Sequence, residues 1–116
     1  MNFILKVLIT GVIAYLLQGI LSGVHFKDMK TAALFALVLA LLNAVVKPIL
    51  VILTIPVTMI TLGLFLLVIN ALMVMLAESF FNGAQVDGFW WALAFSILLS
   101  IGSSILYSLL GGGSKN

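Results

Sequence analysis

The 116-residue chain contains no cysteine, which excludes disulfides, thiolate metal sites and a cysteine nucleophile. Charge is nearly as scarce. Charged residues make up 7% of the sequence, against about 25% in soluble domains. The single histidine, His25, lies in a short polar stretch, so no nucleophile–base pair is visible. No glycine-rich phosphate loop follows a strand. Neither an enzyme nor a cofactor is expected. The net charge of +2 is too small for nucleic-acid binding.

Apolar surface is what the chain has in excess, at 65% of residues. A soluble fold of this size has too much surface for its volume to hide that much. Lipid must therefore surround most side chains. The expected fold class is all-α integral membrane: four transmembrane helices as two tandem hairpins, with a proline-broken re-entrant or kinked insert between them. Residues 1–116 form one membrane domain, with hairpins over 4–47 and 64–107, the insert over 48–63 and a flexible tail over 111–116.

The hydropathy pattern predicts helices over Phe3–Leu21, Thr31–Val46, Leu64–Phe81 and Phe89–Leu110. Ile20-Leu21-Ser22 offers no small-x-small cleavage pattern, so the first helix is read as retained rather than as a signal peptide. Phe89-Trp90-Trp91 opens the last helix as an interfacial aromatic anchor. The residue before a proline is biased away from helix, so a boundary is expected at Lys47-Pro48. Ile49–Leu62 would reach about 21 Å as one helix, short of the roughly 30 Å hydrocarbon core. Pro56 lies in its middle and frees the carbonyl of Ile52; Thr54 or Thr58 can satisfy part of that deficit.

A shift of 60 residues matches the chain to itself in kind. Thr10 falls on Asn70, Gly11 on Ala71, Gln18 on Glu78 and Gly23 on Gly83. Small residues four apart run as Ala32, Ala36, Ala40 and Ala44 on one helix, and as Ala92, Ser96, Ser100 and Ser104 on another. The two seams are in register under the same shift. Such seams let helix backbones approach closely in lipid. Close packing is the expectation, and the lining of a wet pore in an assembly is the alternative. An insert that returns to its own side gives both hairpins one orientation. Lys6, Lys47 and Lys115 then share the cytoplasmic side, with both termini.

Asn43 and Asn70 flank the insert. Interhelical hydrogen bonding is their ordinary reading, and a polar conduit with Thr54, Pro56 and Thr58 is the functional one. Glu78 is expected to be interfacial. His25 and Asp28 are three apart and could share a metal if helical, but two ligands without a third fall short of a site.

Leu42-Asn43-Ala44, Lys47-Pro48-Ile49-Leu50, Leu53-Thr54-Ile55-Pro56, Thr61-Leu62-Gly63-Leu64-Phe65 and Val68-Ile69-Asn70-Ala71-Leu72 together resemble the signature of the phage-holin-like family with four transmembrane segments, superfamily IV. Val86-Asp87-Gly88-Phe89-Trp90 fits the same family as a loop entering the last helix. The resemblance implies a small bacterial inner-membrane protein. It also implies homo-oligomers that permeabilise the membrane, with membrane lipids as the other partner. A non-lytic structural or stress component acting through unknown protein partners is the alternative, and a small-solute carrier is a third.

Overall fold

A computed structural model of the chain describes residues 2–112. Gly113 to Asn116 of the expected tail, Lys115 among them, lie outside the described residues. Apolar sequence becomes helix almost throughout: α1 (Phe3–Leu17), α2 (Met29–Leu53), α3 (Ile55–Ile60), α4 (Phe65–Glu78) and α5 (Phe89–Tyr107). A π-helical turn, Ser108–Gly112, extends α5. The helices α2 and α5 are long and apolar enough to cross a bilayer, and α1 and α4 are shorter apolar helices.

The two polar loops between hairpin helices are not irregular. Val24–Phe26 forms β1 and Ala84–Val86 forms β2, and the two pair antiparallel with His25 opposite Gln85. The amide of Lys27 donates to the Gly83 carbonyl at 2.6 Å, and the amide of Asp87 donates to the Gly23 carbonyl at 2.7 Å. Both hairpin turns therefore sit at one end of the bundle. Each of α1 and α4 packs against both α2 and α5, which leaves α2 facing α5 across the centre.

The helix starts follow local chemistry. Asp28 caps α2 with its carboxylate, accepting from the Thr31 amide and hydroxyl, each at 2.8 Å. Those bonds favour the charged form, with the Thr31 amide the main cause, and hold the Asp28 carboxyl below its usual range. The cap's contribution is thus present above the unfolded carboxylate range and fades as pH falls through the folded value.

The boundary expected at Lys47-Pro48 is absent, and α2 continues through Pro48 to Leu53. Pro48 removes only one helical donor. Val46 and Leu50, on either side of it, pack onto the core, and that packing overrides the local bias. The helix stops instead at Thr54, whose hydroxyl donates back to the Leu50 carbonyl at 2.7 Å. The break expected at Pro56 therefore falls two residues before it. The proline lies in the first turn of α3, where amides have no intrahelical acceptor to lose. The insert expected at 48–63 thus begins as the last turns of α2. The first and third helices also end earlier than expected, at Leu17 and Glu78.

Helix α3 closes in a Schellman turn. The Gly63 amide donates to the Thr58 carbonyl at 2.8 Å and the Leu62 amide to the Met59 carbonyl at 3.2 Å. The first residue past the cap in this turn is usually glycine, but here it is Leu62, at φ 58°; Gly63 follows at φ 90°. A leucine in this region is strained by roughly 1–2 kcal/mol. Leu62→Gly should therefore raise stability by about 1 kcal/mol in detergent, read as a higher unfolding midpoint. An unchanged or lowered midpoint would contradict the turn geometry.

Candidate functional site: a one-ended polar cleft

The aromatic part of the core lies next to the sheet. Phe35 and Phe95, which differ by the same shift of 60, are both fully buried. Their ring centroids lie 5.9 Å apart, and Phe26 lies 5.1 Å from Phe35. Ala32, Ala36 and Ala92 are buried here too, together with Ser96, whose hydroxyl donates to the Leu93 carbonyl at 3.0 Å. Close approach needs a small residue at Gly11, where a Cβ would stand 2.8 Å from the Ala33 Cα.

Toward the other end the seam residues lose that burial. Ala40 is half-buried, while Ala44, Ser100 and Ser104 are exposed. They line a cavity of about 520 Å³ between α1, α2 and α5, which also takes in Thr10, Asn43, Ser103 and Tyr107, with Lys6 at its rim. The expected packing seam is therefore two things in sequence, a packed stripe near the sheet and a cleft wall beyond it.

The two asparagines do not meet. Asn43 is exposed on the cleft, whereas Asn70 is half-buried and accepts a hydrogen bond from the Lys47 ammonium. That pair ties α2 to α4. Of the insert's polar residues, Thr54 bonds its own helix, Thr58 is half-buried with its hydroxyl unpartnered, and Pro56 is exposed. None of the three lines the cleft.

His25 is exposed on β1, and the Asp28 carboxylate is engaged by Thr31, so the helical spacing considered for a shared metal does not arise. Glu78 has a role that sequence reasoning missed: it accepts from the Val86 amide at 3.2 Å. Gln18 does the same for the Phe26 amide at 2.8 Å. Acceptors and donors are both related by the shift of 60. The match of Gln18 with Glu78 was the signal that could have found this, had each been read as a loop acceptor.

Comparison with known proteins follows the same lines. Residues 1–105 match the model of the mycobacterial phage holin family with four transmembrane segments, superfamily IV. The chain belongs to that holin-like family. It is 38% identical over 97 residues to the uncharacterised membrane protein YvlD of Bacillus subtilis, covering 83% of this chain and 82% of the relative. It is also 38% identical over 122 residues to the uncharacterised protein SCO3922 of Streptomyces coelicolor, covering 97% of this chain and 98% of the relative. No solved structure matches. A holin-like membrane protein with two mainly apolar hairpins accounts for both the family match and the bundle.

The different surroundings of the two asparagines give a test. Asn70→Ala should lower stability in detergent by about 1 kcal/mol, since it strips the half-buried Lys47 of its partner. Asn43→Ala should stay within about 0.5 kcal/mol of the parent. Equal effects in thermal unfolding would contradict the assignment.

Proposed function

We propose that this holin-like protein is a non-enzymatic permeability factor of the bacterial inner membrane that acts as a homo-oligomer. The observation that carries the reading is the cleft: hydroxyl and amide side chains line a cavity within an otherwise apolar bundle. Polar lining at membrane depth is costly and belongs to water-filled or ligand-filled paths. A single copy supplies only half a path, because the Phe26, Phe35 and Phe95 layer closes the sheet side. Conduction on this reading needs several copies, with the path past the aromatic layer completed between them.

The proposed topology has four crossings and both termini in the cytoplasm. It is supported by the two hairpin turns sharing one end and by Lys6 lying at the opposite one. Residues 54–64 then stay on the cytoplasmic side without crossing. Their apolar exposure, with Met59 at 72%, Ile60 at 82% and Leu62 at 92%, supports seating that segment in the lipid interface.

The test is release of an entrapped dye from liposomes carrying the purified protein. Release should rise more steeply than linearly with the protein-to-lipid ratio. Vesicles that stay intact at high ratio would overturn the permeability reading. The aromatic closure favours a second reading, a non-conducting membrane component acting through partner proteins. Recovery of a stoichiometric partner in mild detergent, together with intact vesicles, would support it. A carrier built on Asn43 and Asn70 as one site finds no support, because the two are engaged separately.

A further inference from the structure

We infer that the cleft between α1, α2 and α5 binds a phosphate group, held by the Lys6 ammonium at the rim and by Ser103 within. The site stands whether or not assembled copies conduct.

Ser103 is the first observation. It is only 6% exposed, it lines the cleft, and among the described residues its hydroxyl has no hydrogen-bond partner. A buried hydroxyl left unpaired is costly, and helical serines commonly avoid the cost by donating to their own backbone. Ser96, two turns away on the same face, does so. The Ser103 hydroxyl does not, which leaves a donor free for something in the cavity.

Charge gives the second. Among the described residues the cleft lining contains one cation, Lys6, and no carboxylate. Asp28, Glu78 and Asp87 all lie at the sheet end, where Glu78 bonds Val86 and Asp87 accepts from Gln85. Lys6 is set in place by α5: its ammonium lies 6.0 Å from the centre of the Tyr107 ring, whose hydroxyl donates to the Lys6 carbonyl at 3.2 Å. The Thr10 and Tyr107 hydroxyls bond each other. Ser100, Ser104 and Asn43 remain as further donors around Ser103. A cation with several neutral donors and no competing acid suits an oxyanion, through charge-assisted hydrogen bonds. A neutral polyol would leave Lys6 without a role.

Depth and wall chemistry suggest how the phosphate arrives. Ser103 lies one turn, about 6 Å, along α5 from Tyr107, toward the bundle centre. Phe3, Val7, Leu39 and Leu99, with Val74 of α4, supply apolar walls. An anionic phospholipid whose headgroup is drawn one turn below the interface would meet apolar walls with its glycerol and upper chains. Inorganic phosphate would use the same donors without them.

The test is native mass spectrometry of the delipidated full chain in detergent, titrated with phosphatidylglycerol or with diacylglycerol, which lacks the phosphate. Phosphatidylglycerol should bind saturably at one site, and diacylglycerol should not. Lys6→Gln and Ser103→Ala should each weaken binding about tenfold, the loss of one charge-assisted contact. Lys30→Gln, at the sheet end, should leave it unchanged. Competition by inorganic phosphate would identify the free anion as ligand, and its failure to compete would identify the lipid. Ser103→Ala removes an unpaired hydroxyl, so the ligand-free variant should unfold no earlier than the parent, which keeps a loss of binding separate from a loss of fold. Equal binding of diacylglycerol, or parent-like binding by either variant, would overturn the proposal.

Discussion

The fold depends on one exchange of main-chain hydrogen bonds between the two hairpin turns. Buried amides and carbonyls need partners, so the parts of the turns covered by the helix ends must satisfy their own backbone or find each other. Here they find each other. Lys27 donates to Gly83 and Asp87 to Gly23, while Gln18 and Glu78 reach across from the helix ends to take the Phe26 and Val86 amides. Every bond in this set has a counterpart 60 residues away, so the two hairpins meet as equivalent halves about a central axis. That arrangement makes the hairpins parallel to each other and sends α2 and α5 back down opposite sides of the bundle.

A closed end and an open end follow from this clasp. Near the sheet Phe35 of α2 and Phe95 of α5 meet and fill the axis between the two helices. Farther away nothing draws the two helices together. The seam residues there are too small to bridge the gap, and a cleft results. The small side chains of the seams are therefore buried around the aromatic layer where the backbone is clasped, and they leave space where it is not. The cleft collects the hydroxyls and Asn43, while the Lys47–Asn70 pair fastens α2 to α4 to one side of it.

Much of this was legible in the sequence. Low charge and long apolar runs fixed the class and the four helices, because lipid leaves the backbone few other choices. The register of the two seams was visible too, since residues four apart share a helix face. The failures share one cause: local rules applied where packing decides. Lys47-Pro48 read as a helix end, yet Val46 and Leu50 carry α2 through it. The break expected at Pro56 falls two residues earlier, at Thr54, and the proline stands in the first turn of the next helix. The two polar loops read as irregular because three-residue strands leave no periodicity to detect; their partner is 60 residues away. Asn43 and Asn70 both read as interhelical hydrogen-bonding residues, but only packing reveals that Lys47 takes Asn70 while Asn43 faces the cleft.

The central claim is that both hairpin turns lie on one face and the α2–α4 junction on the other. The native absence of cysteine makes this directly measurable. Single variants His25→Cys, Gln85→Cys and Leu62→Cys, each exposed, can be labelled in intact cells and in inverted vesicles with a membrane-impermeant thiol reagent. Positions 25 and 85 should label from the same side and position 62 only from the other. Labelling of 25 and 85 from opposite sides would contradict the clasp and the architecture that rests on it.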